Sequence, residues 1–215
     1  MNDVAVIDYG MGNLRSVAKA LEHVAQKDTR VVVSNDPQQI MNAARVVFPG
    51  QGAMRDCMKE LQRLGLDAVV RECVKSKPFL GICMGMQVLL DSSEENNGWP
   101  GLGIVPGQVL RFADHMTDAT GARLKVPHMG WNQVRQARPH PLWRDIPDQS
   151  RFYFVHSYYA QPSDKNLVAG LTSYPTEFTS AIARDNVFAV QFHPEKSERH
   201  GLALLSNFLH WNGAA

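Results

Sequence analysis

One cysteine, Cys83, lies between two glycines in the stretch GICMG, which follows an apolar run and precedes residues that favour a helix. This G-x-nucleophile-x-G spacing is typical of a sharp strand-to-helix turn that raises a reactive side chain above the C-terminal edge of a sheet. Gly81 and Gly85 would remove clashes at the turn, and the helix start would favour the thiolate. A small buried thiol is the simpler interpretation of Cys57 and Cys73, but it does not explain paired glycines. The spacing therefore predicts that Cys83 is a nucleophile.

A nucleophilic thiol needs a base and a group that orients the base, and the stretch FAVQFHPEKS contains both. His193 follows an apolar, strand-like run, and Glu195 lies two residues further on. Because Pro194 restricts the backbone between them, the carboxylate and the imidazole can meet at the end of the same strand. We therefore predict a triad of Cys83, His193 and Glu195.

Attack on a carboxamide or an ester also requires hydrogen-bond donors for the oxyanion. The backbone amide of Met84, which directly follows the nucleophile, is one predicted donor. The stretch FPGQGAM follows the third predicted strand, and its glycines would let the backbone at Gly50, Gln51 and Gly52 approach a ligand closely. We predict a second donor there, with an ordinary glycine turn as the alternative interpretation.

The motifs do not support a metal site or a dinucleotide site. An H-x-E pattern also occurs in zinc deaminases, but those enzymes need a later P-C-x-x-C, and no cysteine follows Cys83. The sequence also contains no HExxH or CxxC motif. After the first predicted strand, GMGN is followed by Arg15, where a dinucleotide fingerprint has its third glycine. We therefore expect no metal and no cofactor.

The elements that must position these residues alternate between strand and helix in the first half of the chain. Apolar and helical periodicities predict strands at 4–8, 29–34, 45–48 and 78–82 and helices at 14–25, 36–44 and 53–75. Shorter runs in the second half predict strands at 109–112, 131–134, 151–156, 179–183 and 187–192 and a helix around 202–209. Unbroken apolar strands favour a sheet covered on both faces. The predicted fold is a single α/β domain over residues 1–215, with an open mixed, mainly parallel sheet and helices on both faces.

Composition excludes several classes of function. The chain of 215 residues carries 22 Lys and Arg against 21 Asp and Glu, scattered rather than striped, so a nucleic-acid partner is not expected. Its apolar runs fall short of the roughly 18 residues that span a bilayer, and the stretch MNDVAVIDYG lacks the basic start of a secretory signal. Three cysteines without paired spacing suit a reducing compartment. We predict a cytoplasmic protein without membrane association.

The stretches PGQG, GICMGMQ and FHPEK, in this order, resemble the class I glutamine amidotransferases, and the resemblance covers essentially the whole chain. The family triad is a cysteine on the elbow with a His-x-Glu near the C-terminus. Within the family, DYGMGNLRS, GICMGMQ, KVPHMGWNQV, FVHSYY and FHPEKS are similar to the glutaminase subunits of imidazole glycerol phosphate synthases.

The resemblance implies hydrolysis of glutamine to glutamate and ammonia through a glutamyl thioester. Gln87 and the backbone of Ser157 and Tyr158 match the positions that hold the amino-acid part of glutamine. The implied partner is a (β/α)8 cyclase subunit, which forms a heterodimer with the chain and uses the ammonia in histidine biosynthesis. The implied products are imidazole glycerol phosphate and an aminoimidazole carboxamide ribotide. Residues matching the family's interface are Asn13, Met129, Trp131, Asn132, Tyr153 and Lys196.

Two other interpretations remain open at this point. One is a glutaminase that serves a different acceptor enzyme, such as the anthranilate or carbamoyl phosphate systems. The other is a flavodoxin-like binding module or thiol sensor, in which Cys83 is oxidised rather than acylated. Glutamine hydrolysis in the presence of the partner distinguishes these classes.

Overall fold

A run of parallel strands forms the centre of the structure, which is a computed structural model describing residues 3–118 and 120–214. Residues 1, 2, 119 and 215 of the predicted domain lie outside the described residues. The strands are β1 (Val4–Ile7), β2 (Val31–Ser34), β3 (Arg45–Gly50), β4 (Phe79–Cys83), β5 (Ser92–Ser93), β6 (Trp99–Pro100), β7 (Gly107–Arg111), β8 (His128–Gln136), β9 (Ser150–His156), β10 (Tyr158–Pro162), β11 (Val168–Ser173), β12 (Glu177–Arg184) and β13 (Val187–Val190). The helices are α1 (Leu14–Val24), α2 (Pro37–Asn42), α3 (Met54–Arg63), α4 (Leu66–Ser76), α5 (Met84–Gln87) and α6 (Glu198–His210).

The sheet changes from parallel to antiparallel along its width. Strands β2, β1, β3, β4 and β13 lie side by side and are all parallel. Beyond β13 the order continues through antiparallel β12, β10 and β7 and ends with the short strands β5 and β6. Strand β11 pairs with β12 and with β8, which in turn pairs with β9. The predicted α/β class and the open mixed sheet are confirmed.

The inner parallel strands β1, β3, β4 and β13 are buried on both faces, as their unbroken apolar sequences predict. The edge strand β2 is partly exposed, with Val33 42% exposed. In β1, Ala5 and Ile7 pack in the hydrophobic cluster that contains the buried residues of α2, α3 and α4. Val4 and Val6, which point the opposite way, pack in the cluster that contains those of α1 and α6. Helices therefore cover both faces. No helix among the described residues combines the length and apolarity that crossing a bilayer requires.

Two predicted helices differ from the observed ones. The region 53–75 is broken into α3 and α4 at Gly65, which has a left-handed φ of 67°. Helix α5 after Cys83 has only four residues. It stops because the carbonyls of Val88 and Leu89 accept hydrogen bonds from the backbone of the 102–105 segment instead of from a continuing helix. The electrostatic effect of α5 on Cys83 is therefore that of a single turn.

Candidate active site

Cys83 occupies a strained turn between β4 and α5. Its φ of 55° and ψ of −107° lie in a region that L-residues rarely adopt. A Cβ at Gly81 would lie 2.7 Å from the carbonyl oxygen of Gly85, and one at Gly85 would collide with the carbonyl of Phe48. Both glycines are thus required by close backbone contacts, as the sequence predicts. Cys83 lies at a cavity of about 680 Å³ above this edge of the sheet.

His193 lines the same cavity just after β13, and the Glu195 carboxylate contacts its imidazole. The imidazole Nδ1 is 2.9 Å from Glu195 Oε1, and the two side chains are only 6% and 1% exposed. The His193 backbone N–H donates to the Tyr153 carbonyl, and its own carbonyl accepts a hydrogen bond from Ser197 Oγ. These bonds fix the backbone, so the ring orientation is set by the Glu195 carboxylate.

The surroundings of His193 favour its protonated form. Burial lowers the pKa of the imidazole, but interactions with the Cys83 thiol and the Glu195 carboxylate outweigh burial and raise the pKa well above its usual value. Because Nδ1 donates to an acceptor-only carboxylate, Nε2 is the nitrogen that faces the thiol. A protonated imidazole beside a thiol is the arrangement that stabilises a reactive thiolate.

A pair of buried glutamines lies beside Cys83. Gln87 Nε2 donates to the carbonyl of Tyr158 and to Gln191 Oε1, each at 2.9 Å. Gln191 Nε2 is 3.6 Å from the Cys83 sulfur. Sequence reasoning singled out Gln87 and Tyr158 but missed Gln191. The sequence signal for Gln191 was a polar amide side chain directly after an apolar strand and two residues before His193.

The other predicted pocket residues surround Cys83. Gln51, Gly52, Met84, Ser157 and Tyr158 line the cavity. Gly50 is the β-sheet register partner of Cys83 and lies beneath the cavity wall, packed against Tyr9 and Met84. The structure thus brings these residues around one thiol, while their roles as oxyanion donors and substrate contacts stay predictions.

Four of the six predicted interface residues lie on β8 and β9 and divide between the two faces of this ribbon. Trp131 and Tyr153 are register partners whose rings pack edge to face at 6.2 Å. Met129 is 62% exposed and Trp131 is 39% exposed, so Trp131 is not a core residue. Lys196 lies over the Tyr153 ring and also lines the cavity.

Asn132 and Asn13 lie apart from this exposed group. Alternation along β8 directs the Asn132 amide to the other face, where Nδ2 donates to the Ser173 carbonyl and lies 3.2 Å from His128 Nε2. Asn13 precedes α1, and its carbonyl accepts the first helical hydrogen bond, from Val17 N. The exposed face therefore consists of Met129, Trp131, Tyr153 and Lys196.

Two buried histidines, which sequence reasoning missed, extend the hydrogen-bond network of Gln87 and Tyr158. His156 Nδ1 lies 2.8 Å from the Tyr158 carbonyl, and His156 Nε2 lies 3.0 Å from His128 Nδ1. Because a carbonyl only accepts, Nδ1 of His156 carries a proton and its Nε2 accepts from His128. Burial lowers the pKa of His156 to about 3 and that of His128 to about 4, so both rings are neutral near pH 7.

Comparisons with known proteins identify the family of the chain. A model of the family described as glutamine amidotransferase class-I matches residues 5–211. A protein of Nitrosococcus oceani named imidazole glycerol phosphate synthase subunit HisH is 64% identical over 215 residues, covering 100% of both chains. One of the same name from Aromatoleum aromaticum is 63% identical over 212 residues, covering 98% of this chain and 99% of the other.

Solved structures share the fold at low sequence identity. PurLQS from Thermotoga maritima superposes with a TM-score of 0.70 at 16% identity, covering 97% of each chain. A glutamine amidotransferase from Thermotoga maritima gives a TM-score of 0.60 at 16% identity, covering 92% of this chain and 78% of the other. The family predicted from the sequence motifs is confirmed, and the chain belongs to the class-I glutamine amidotransferases.

Proposed function

We propose that this chain is the glutaminase subunit of an imidazole glycerol phosphate synthase and that its triad is Cys83, His193 and Glu195. The observation that carries the proposal is a strained cysteine elbow facing a buried His–Glu pair at the edge of one cavity. The names of relatives at 64% and 63% identity supply the acceptor reaction. The chain releases ammonia from glutamine, and a cyclase subunit consumes it.

The chemistry follows from the protonation states. The Cys83 thiolate attacks the side-chain carboxamide carbon of glutamine, and the proton on His193 Nε2 passes to the leaving nitrogen, which departs as ammonia. The product is a glutamyl thioester. Neutral His193 then removes a proton from water, the hydroxide attacks the thioester, and the thiolate leaves as glutamate forms. Glu195 keeps the ring oriented and stabilises its charged form throughout.

Substrate binding uses other polar groups that line the cavity. Both hydrogens of the Gln87 amide nitrogen are already donated, to Tyr158 and Gln191. Its oxygen is therefore the atom that can bind a ligand, and it suits the α-ammonium group of glutamine. Ser157 and Tyr158 line the same cavity, and their peptide groups supply contacts for the rest of the amino-acid part.

The oxyanion of the tetrahedral intermediate needs inward-pointing N–H groups. The amide of Met84 directly follows the nucleophile, and the Gly50–Gln51–Gly52 peptides run beside it. One such donor is worth roughly 10²- to 10³-fold in rate. A peptide rotation between the glycines would therefore switch the glutaminase strongly when the partner binds.

Ammonia must reach its acceptor without meeting bulk water, where it is mostly protonated and not nucleophilic. The exposed face formed by Met129, Trp131, Tyr153 and Lys196 adjoins the cavity through Lys196 and gives a partner an apolar docking surface. We assign this face to a (β/α)8 cyclase subunit in a heterodimer. We also assign the complex to the cytosol, where the three free thiols would stay reduced.

The test is synthase activity of the complex with Cys83→Ser, with Cys73→Ala as a control at a cysteine remote from the cavity. We expect Cys83→Ser to lower glutamine-dependent synthesis by roughly 10⁴-fold or more, because the nucleophile is lost. Synthesis from added ammonium salt should persist in both variants. Glutamine-dependent turnover that survives in Cys83→Ser would refute the triad. Synthesis only with an anthranilate or carbamoyl phosphate acceptor enzyme would refute the choice of partner.

A further inference from the structure

We propose that Gln191 is a further catalytic residue, which donates an amide N–H to the sulfur of Cys83 and holds Gln87 with its oxygen. The inference rests on the proposed glutaminase function and adds a fourth side chain to the predicted triad. Gln191 follows β13 directly and is fully buried. Its backbone is fixed because its N–H donates to the Ser180 carbonyl at 2.9 Å.

The burial of Gln191 calls for a specific reason. It is preceded by the apolar strand VFAV and followed by buried Phe192, so an apolar side chain would suit the position without polar partners. A buried amide is costly unless its oxygen and nitrogen are both hydrogen-bonded. In this structure both atoms have partners, and one of them is the nucleophile.

The orientation of the Gln191 amide is decided by the chemistry of its neighbours. The Tyr158 carbonyl can only accept, so the Gln87 atom that contacts it is the amide nitrogen. The second hydrogen on that nitrogen points to Gln191, so the contacting atom of Gln191 is its oxygen. The nitrogen of Gln191 must therefore face Cys83 Sγ, at 3.6 Å. A flipped amide would bring two NH₂ groups together.

A donor at this position favours the reactive form of the sulfur. A thiolate is an acceptor only, and hydrogen bonds to charged acceptors are stronger than those to neutral ones. The Gln191 N–H thus supports the same charge state as protonated His193, from another direction. It acts again in the second step, when the thioester breaks and negative charge returns to sulfur. Loss of one such bond corresponds to roughly 10- to 100-fold in rate.

Two variants separate this role from simple support of Gln87. Gln191→Glu keeps the shape and an oxygen for Gln87 but places a carboxylate oxygen against the sulfur. Gln191→Met keeps the approximate volume but removes both hydrogen bonds. Gln87→Met is the matched control, because it removes the Gln87 contacts, while a thiolate, which only accepts, still selects the N–H of Gln191.

The decisive measurement is the pH dependence of iodoacetamide alkylation of Cys83, followed by mass spectrometry in the cyclase complex without glutamine. We expect both Gln191 variants to move the midpoint of alkylation to higher pH and to slow alkylation at pH 7 by about tenfold or more. Gln87→Met should leave the midpoint near that of the unsubstituted complex. Coelution of each variant with the cyclase in size-exclusion chromatography shows that the variant chain is folded and that the complex is assembled.

Unchanged alkylation profiles in both Gln191 variants would overturn the inference, as would an equal shift in Gln87→Met. If one variant fails to assemble, the other still decides the question. The proposed function fails separately, because it depends on glutamine turnover in Cys83→Ser and not on alkylation.

Discussion

Lowering the pH should destabilise the fold through three buried histidines rather than through its surface charges. His128, His140 and His156 are each less than 10% exposed, and burial lowers their pKa values to about 4, 4 and 3. His128 and His156 lie among the rings of Phe112, Phe154 and other aromatic residues, with their own ring centroids 5.1 Å apart and the Tyr174 ring 4.0 Å from that of His128. His140 packs against Phe188 and Trp211, and nearby Arg138 further lowers its pKa.

Protonation of these rings would break hydrogen bonds that the folded state contains. His156 Nε2 accepts from His128, His128 Nε2 faces the Asn132 amide, and His140 Nδ1 accepts from the backbone N–H of Leu142. A proton added at any of these atoms turns an acceptor into a donor that faces another donor. Charging is therefore opposed by lost hydrogen bonds as well as by burial.

The sign and size of this change in stability with pH follow from the linkage between protonation and folding. Each folded-state pKa lies below the unfolded value near 6.5, so the unfolded chain binds more protons, and stability that is present above pH ~6.5 is lost as pH falls. Each histidine contributes about 1.4 kcal/mol per pH unit, so the three together contribute about 4 kcal/mol per unit between pH 6 and pH 5. For a total stability near the lower end of the usual range of about 5–15 kcal/mol, this loss places acid unfolding near pH 4 to 5. His193 acts with the opposite sign, because its pKa is raised above the unfolded value: it adds stability as pH falls from 8 towards 6.5 and contributes little slope between pH 6 and 5.

The assay is urea unfolding of the isolated chain at pH 5, 6, 7 and 8, followed by tryptophan fluorescence. We expect His140→Gln to reduce the slope of unfolding free energy against pH by about one third between pH 5 and 6. The control is His23→Gln, at an exposed position on α1, which should leave the slope unchanged. A flat stability profile from pH 8 to 5, or equal slopes in the chain and in His140→Gln, would refute the reasoning.

Two further predictions concern the thiols and the exposed face. Iodoacetamide should modify Cys83 faster than Cys57 or Cys73, because both of those thiols are fully buried. Burial raises the pKa of both, that of Cys57 to about 12. Equal labelling of all three cysteines by mass spectrometry would contradict this prediction. Trp131→Ala should weaken cyclase binding, measured by calorimetry, by roughly 10-fold or more, because exposed tryptophans are frequent energetic centres of interfaces. Val33→Ala, at an exposed apolar position on β2, is the control, and an equal loss in both variants would argue against the face.

The sequence by itself determined the features that depend on neighbouring residues. Paired glycines around Cys83 predict the strained turn because their spacing reflects backbone clashes within a few residues. The short stretch from His193 to Glu195 predicts an imidazole–carboxylate contact for the same reason, and unbroken apolar runs predict the parallel strands. Asp36 before Pro37 also predicts the start of α2, where the Asp36 side chain accepts from Gln38 N.

Only the tertiary structure decided what lies beside those features. Gln191 meets Gln87 across 104 residues and Cys83 across 108, so no local pattern could pair them. The early end of α5 depends on hydrogen bonds from the 102–105 segment, and the inward direction of Asn132 depends on which face of β8 covers the core. Hydrogen-bond partners of buried polar groups are set by sheet order and register, because these bring together residues that are remote in the chain.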